Sequence, residues 1–398
     1  MKMVLRTLVC DTMRNAIRSP SSRFMSAASA EPVPHINKNE STQTFRTTEN
    51  DPIHHTISQE AKYYTISPEV QKQLFTFGGL PTIFKKQVKT FAETCVMVRR
   101  PALEVFEYLR SADYSKPAIR YVLFGRAGSG KTLTLAHVLH YGLSSEWLLF
   151  HAPKVRNWLN MPKEVANSQT REGCVDLPID AAEWLAHFKM QNSTLLNRLD
   201  LRVSRDLTWS KRESTSKDAP LMELIELGIN RVKYACDIVS VIAEEIKLHS
   251  TAGRCKTLVV IDGFNAFFYP TTRVFSETKK AVPPSNITLT EALLNITKFD
   301  WCNGAIVLTV DKLLAYGERR QSDLPVNLLG KEGFEHLDPF VPIHVPEYSD
   351  KEIHSCLDYY ADRRWIQNER GLSEDGRKEL IFISAYNPRR LMLECASL

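Results

Sequence analysis

The sequence predicts an α/β fold: a parallel sheet with helical crossovers, an N-terminal extension and a small helical lid at the C-terminus. Three observations carry that reading. Short apolar β-rich runs alternate with helix-like segments. The first clear run leads into the glycine-rich turn Gly125-Arg126-Ala127-Gly128-Ser129-Gly130-Lys131-Thr132 and then a helix. From Ser349 onward helical periodicity dominates.

The elements follow in chain order. Residues 31–64 are polar and without sustained periodicity, which reads as an extended arm. Pro68 to Leu109 reads as helical with breaks: Gly78-Gly79-Leu80-Pro81 makes a turn, and Pro101 suits a helix start. Ala118–Phe124 is a first strand and Glu146–His151 a second. Residues 154–219 are irregular except for a helix over Asp180–Leu199, whose first turn Asp180 can cap. One long amphipathic helix is expected over about Leu221–Leu248. Thr257–Asp262 is a third strand, apolar without alternation and so buried on both faces. Asn303–Val310 and Phe340–Val345 supply a fourth and a fifth. The organisation expected is therefore a targeting segment over 1–30, the arm over 31–64, a phosphate-binding domain with N-terminal helices over 65–348, and the lid over 349–398.

Charge separates the first segment from the rest. The whole chain is at +5, with 51 Lys+Arg against 46 Asp+Glu. Lys2, Arg6, Arg14, Arg18 and Arg23 face only Asp11 within residues 1–30, so +4 of that total sits there. This segment is also rich in Ser and Ala, as in Ser19, Ser21, Ser22, Ser26, Ala27, Ala28, Ser29 and Ala30. Arg-rich, Ser-rich and acid-poor is the composition of a mitochondrial transit peptide, and no apolar core follows the basic start as a secretory signal would require. No stretch approaches the roughly 18 apolar residues of a membrane span. The eight cysteines are scattered singly with no C-x-x-C pair, as expected of small core residues in a reducing compartment. His137 and His140, three apart on a helix, lack a third ligand and read as packing residues.

The chemistry lies in Gly125–Thr132, which fits the phosphate-binding pattern G-x-x-x-x-G-K-[ST]. Glycines let the backbone curl so that successive N–H groups face phosphate oxygens. Lys131 would reach the β- and γ-phosphates, and the Thr132 hydroxyl would bind Mg²⁺. Asp262, at the end of an apolar strand, is the expected second ligand of that metal. ATPases with an extra strand between these two motifs place a Glu next to activate water; here Gly263 stands there, followed by Phe264 and Asn265. Binding is thus predicted and fast hydrolysis is not. Asp311 could substitute, or be solvated. Thr309 sits where a sensor side chain would view the γ-phosphate. Arg389 and Arg390 either reach the nucleotide from the lid or form an exposed basic helix start.

Other features weigh less. Thr297-Lys298-Phe299-Asp300 mimics the guanine-reading [NT]-K-x-D, but it precedes a strand instead of following one and is rejected. Phe267, Phe268 and Tyr269 are either core or a docking loop. Lys85-Lys86, Arg99-Arg100, Arg319-Arg320 and Arg363-Arg364 are small basic pairs, read as solvated faces and not as an RNA-binding stripe.

Beyond the phosphate loop, a set of segments resembles the family of GTP-binding mitochondrial small-subunit ribosomal proteins also called death-associated protein three. They are Gln87–Phe91, Arg100–Glu104, Pro117–Gly125, Trp209–Thr215, Val260–Gly263, Gly304–Val307, Leu329–Phe334 and Leu337–Phe340, and the similarity runs from about Tyr64 to the C-terminus. The resemblance implies an AAA+/ASCE phosphate-loop fold and GTP or GDP with Mg²⁺ as ligand, with at most slow GTP hydrolysis. It implies a place in the matrix, in the mitochondrial small ribosomal subunit. Expected partners are small-subunit proteins and bridge proteins of the large subunit, with limited ribosomal RNA contact. The same family is linked to apoptosis, so a nucleotide-dependent signalling switch in cell death, an AAA+/STAND-like NTPase, stands as the alternative.

Overall fold

The computed structural model describes residues 44–153, 155–315, 317 and 321–396. The 1–30 targeting segment and the Arg319-Arg320 pair lie outside the described residues.

The described chain opens with β1 (Tyr63–Ile66), α1 (Pro68–Phe75), α2 (Thr82–Phe91) and β2 (Thr94–Met97), and β1 pairs antiparallel with β2, Tyr64 opposite Val96. Next come α3 (Arg100–Ser111), β3 (Ile119–Phe124), α4 (Lys131–Ser144) and β4 (Leu148–Ala152). A long excursion leaves the sheet here. It holds α5 (Val155–Asn160), the two-residue strands β5 (Ala166–Asn167) and β6 (Val175–Asp176), and α6 (Pro178–Leu199). It continues through β7 (Leu207–Thr208), β8 (Ser214–Thr215), α7 (Leu221–Asn230) and α8 (Ala235–Thr251). The chain returns through β9 (Thr257–Ile261), α9 (Thr288–Ile296), β10 (Gly304–Thr309), α10 (Pro325–Leu337) and β11 (Val341–His344). It closes with α11 (Asp350–Asp362), α12 (Glu369–Leu372), α13 (Glu374–Ser384) and α14 (Pro388–Cys395).

Five strands form one parallel sheet in the order β11-β3-β10-β9-β4. The predicted α/β class with helical crossovers is the observed one. β10 lies between β3 and β9, the arrangement that defines the ASCE group of phosphate-loop folds. Because side chains alternate across a strand, Val122, Phe150, Val259, Ile261, Ile306 and Leu308 pack on one face with α6 to α10. Tyr121, Leu123, Leu149, Leu258, Val260 and Val307 pack on the other with α1, α3 and α4. Each such aliphatic side chain contributes roughly 1.5–3 kcal/mol relative to an exposed one. The β1–β2 ribbon divides in the same way. Tyr64, Ile66 and Val96 join the second face, whereas Tyr63, Cys95 and Met97 pack on Ile353, Tyr359, Leu380 and Leu391 of the C-terminal helices. No described helix is long and apolar enough to cross a membrane.

Several expectations need correction. The segment read as helical through Leu109 contains β2, a strand whose partner lies in what was read as arm: from Thr44 on the chain belongs to the main compact unit, and Phe45, Tyr63 and Tyr64 are buried. The helix expected over Leu221–Leu248 is two, α7 and α8. At the break, Arg231 (φ −118°, ψ 72°) pairs with Glu213 at 3.0 Å, and the Tyr234 hydroxyl donates to the same carboxylate at 2.6 Å. Those tertiary partners override a periodicity that runs through them. Asp180 does not cap α6, which starts earlier, at Pro178; a proline has no N–H to satisfy there. Asp180 Oδ2 instead accepts from the Lys163 N–H at 3.0 Å. The second strand begins at Leu148, because Glu146 takes a left-handed φ of 57° in the preceding turn.

Candidate functional site

The phosphate-loop sequence follows the C-terminal end of β3, and the carboxyl ends of the strands are where parallel sheets gather ligands. Lys131 opens α4, and the residue before it, Gly130, has a φ of 107°. A Cβ there would be strained and would lie 3.0 Å from Arg99 Nη1. The Lys131 ammonium donates to the carbonyls of Gly125 (2.8 Å) and Arg126 (3.0 Å) and lies 3.5 Å from Asp311 Oδ2. No side chain caps the first turn of α4, so its N–H groups present their partial positive charge to the loop. Ser129 is fully buried, and its hydroxyl has no hydrogen-bond partner among the described residues. An orphaned hydroxyl beside an uncapped helix start and a buried ammonium fits an anionic group.

Across from Lys131, Thr132 Oγ1 donates to Asp262 Oδ2 at 2.9 Å, and Thr309 Oγ1 donates to the other carboxylate oxygen at 2.6 Å. Burial raises the Asp262 carboxyl above the usual carboxylate range, opposed by these two hydroxyl donors. Thr132 and Asp262, a hydroxyl and a carboxylate in contact, are the pair that would hold a divalent cation. Thr309, read as a sensor, uses its hydroxyl otherwise: it donates to Asp262 and accepts from the Gly263 N–H at 2.7 Å. It fixes the carboxylate. Gly263 has φ 82°, a conformation that strains any side chain, and a Cβ there would come 2.5 Å from Leu314 Cδ1, so a glutamate would need both strain and a shift of Leu314. Asp311 is not merely solvated; it faces Lys131, while Asn265 holds its backbone through hydrogen bonds of 3.0 Å at both amide ends.

Sequence reasoning missed Arg99. Read as half of a solvated pair, it is 7% exposed, whereas Arg100 is exposed. Arg99 Nη1 donates to the Ser129 carbonyl (2.6 Å), Nη2 to the carbonyls of Pro346 (3.0 Å) and Glu347 (3.1 Å), and Nε to Glu352 Oε1 (2.8 Å). The lid binds the same loop: the Asn387 amide donates to the Ala127 carbonyl at 3.1 Å, and the Arg389 N–H to that of Gly128 at 3.2 Å. Arg389 thus meets the loop through its backbone N–H, Arg390 donates its N–H to Asn387 Oδ1, and both residues are exposed. A signal for Arg99 existed in the β-rich run Thr94–Val98 that precedes it.

A cavity of about 430 Å³ continues from Gly128, Lys131 and Thr132 between α2, β2 and α14. Pockets of that order hold cofactors and small ligands. His137 lies at its wall and bonds His55 at 2.8 Å, a buried packing pair. Phe267 is buried and Phe268 packs on Gly333, so these two aromatics are core. Thr297–Asp300 follows α9 and precedes β10, and Lys298 and Asp300 sit outside the cavity.

Comparison with known proteins decides the family. A family model described as mitochondrial ribosomal death-associated protein 3 matches residues 96–394, about three quarters of the chain. The chain belongs to this family. The matched span begins inside β2 and ends in α14, so it contains the phosphate loop, Asp262, Arg99 and the lid. Among relatives, small ribosomal subunit protein mS29 of Bos taurus is 41% identical over 371 residues, 92% of each chain. The mS29 protein of Mus musculus is 40% identical over 353 residues, 89% of each. A solved structure of the Aeropyrum pernix ORC2 protein aligns with a TM-score of 0.30 at 14% identity, over 75% of this chain and 66% of that one. The fold assignment rests on the strand order.

Proposed function

We propose that this chain is a structural component of the mitochondrial small ribosomal subunit that holds a guanine nucleotide with Mg²⁺ as a structural or slowly hydrolysed ligand. The ribosomal assignment and the matrix location follow from membership of a family whose relatives are small-subunit mitochondrial proteins. The nucleotide assignment is carried by one observation: the orphaned Ser129 hydroxyl, the uncapped start of α4 and Lys131 converge on one loop. Mg²⁺, when bound, would neutralise phosphate charge. For their part, Lys131 and the loop amides would bind the phosphates, and Thr132 and Asp262 would hold the cation. Gly263 leaves no carboxylate to position water beside Asp262, which supports slow turnover. Outside residues 1–30 the sequence carries a net charge of only +1. We therefore read its attachment as mainly to protein neighbours of the small subunit and to bridge proteins of the large one, with few RNA contacts. The cell-death switch has no observation of this structure in its favour.

The test is to purify the chain from mitochondria, identify the co-purifying nucleotide and follow its hydrolysis over hours. Guanine nucleotide with turnover far below one per minute is expected, lost with Lys131→Ala. Recovery of adenine nucleotide alone, or sedimentation away from small subunits, would overturn the reading.

A further inference from the structure

The loop forms the phosphate end of the cavity, and the rest of it offers space for the nucleoside. That part is walled by Val96 and Met97 of β2, by Ile83 and Phe84 of α2, and by Met392 of α14. Polar side chains line it too, Tyr63, Thr82, His137 and Tyr360 among them, and one amide, that of Gln87. It lies one helical turn beyond Ile83 on α2 and is 4% exposed, yet it lines the cavity. The Tyr360 hydroxyl donates to Gln87 Oε1 at 3.3 Å, which leaves the amide NH₂ as the group to be satisfied. Among the described residues this is the side-chain hydrogen bond that Gln87 makes. The same wall carries the first turn of α2, which starts at Thr82 after Pro81 with no side-chain cap. This end of the cavity therefore offers donors.

We infer that Gln87 reads the base, donating its amide N–H to O6 of a guanine. The inference rests on the nucleotide reading given above. The chemistry discriminates because guanine presents two acceptors on that edge, whereas adenine puts an N6 amino donor where O6 would be. An amide held NH₂-inward by Tyr360 meets that amino group donor to donor, which leaves both poorly paired against a largely apolar wall. Recognition through O6 does not involve the 2-amino group, so hypoxanthine nucleotides should bind as guanine nucleotides do.

The test measures dissociation constants of GDP, IDP and ADP by calorimetry, with Mg²⁺, for the full chain and for Gln87→Glu and Gln87→Leu. Thermal melts of the unliganded variants establish that each folds. GDP and IDP should bind alike and ADP roughly ten- to hundredfold more weakly. Gln87→Glu turns the donor into an acceptor, so the GDP-to-ADP preference should fall at least about tenfold; Gln87→Leu should weaken GDP and leave ADP nearly unchanged. If both variants keep the wild-type preference, or if IDP binds as poorly as ADP, the inference is overturned while the nucleotide site stands. If the folded wild type binds none of the three, or Lys131→Ala binds GDP normally, the nucleotide reading itself falls, and this inference with it.

Discussion

Replacing Arg99 by methionine keeps most of the side-chain length and removes the charge. The side chains of Arg99 and Glu352 are both buried and meet at 2.8 Å. In the variant, the Glu352 carboxylate would stay buried with only the Ser349 N–H donating to it, at 2.8 Å. The carbonyls of Ser129, Pro346 and Glu347 would each lose a donor. Breaking a buried pair from one side costs about 3–5 kcal/mol. For a body of this size, at about 2 °C per kcal/mol, the melting temperature should fall by roughly 6–10 °C. Urea unfolding by linear extrapolation measures the loss directly. Neutralising the stranded acid should then recover part of it: Arg99→Met with Glu352→Gln should be more stable than the sum of the two single effects by about 1–3 kcal/mol. A single-variant loss below about 1 kcal/mol, or strict additivity in the double variant, would refute the claim that this pair ties the lid to the phosphate loop.

Other consequences follow from the same site and core. Thr309→Val keeps the shape but strips a donor from Asp262 and an acceptor from the Gly263 N–H; a loss of about 1–3 kcal/mol in urea unfolding is expected, and a neutral result would mean that this hydroxyl does not position the carboxylate. Gly263→Glu supplies the missing carboxylate but forces a side chain into a left-handed turn against Leu314. It should destabilise by about 1–3 kcal/mol and leave GTP turnover within a few-fold of wild type; a stable variant with tenfold faster single-turnover hydrolysis would contradict that. Burial pushes the His140 imidazole down to about 4. Its neutral form is favoured in the folded state, so its contribution is full above the unfolded value near 6.5 and is lost as pH falls below it. At pH 5 the loss is about 2 kcal/mol, and burial shifts His336 in the same direction. Urea midpoints from pH 7 to 5 should fall more steeply for wild type than for His140→Leu, and parallel profiles would count against the assignment.

How far the sequence could be read depended on where each element finds its partners. The inner strands announce themselves because a strand buried on both faces is largely apolar, as in Thr257–Ile261 and Gly304–Thr309, and the phosphate loop because its glycines and Lys131 are adjacent in sequence. β1 and β2 were hidden: each is four residues long and flanked by helices, and they pair across the intervening α1 and α2. With β2 unseen, Arg99 reads as a surface cation, and nothing local marks Gln87 as buried, since burial is conferred by distant elements. Glu352 lies 253 residues from Arg99, and Tyr360 lies 273 from Gln87. Asp311 was ambiguous for the same reason, because the Asn265 clamp that aims it at Lys131 comes from the loop after a neighbouring strand. The break between α7 and α8 was invisible because it depends on Glu213, in the hairpin before α7.

The bonding of the phosphate loop argues for a ligand that braces more than it turns over. Three successive carbonyls, of Ala127, Gly128 and Ser129, accept from Asn387, Arg389 and Arg99. The first two donors belong to the start of α14 and the third ends the run that follows β2, so the loop joins the lid to the N-terminal ribbon. A ligand that orders the loop backbone from the inside would hold both outer elements in place. At a thousandfold excess over its dissociation constant such a ligand stabilises the folded state by about 4 kcal/mol, comparable to the Arg99–Glu352 pair. Fast hydrolysis would release that brace repeatedly. On the proposed reading, a left-handed glycine beside Asp262 with Leu314 against it and a Thr309 hydroxyl committed to the carboxylate would keep turnover slow, as a ribosomal component would require if a nucleotide is to stay bound while the subunit works.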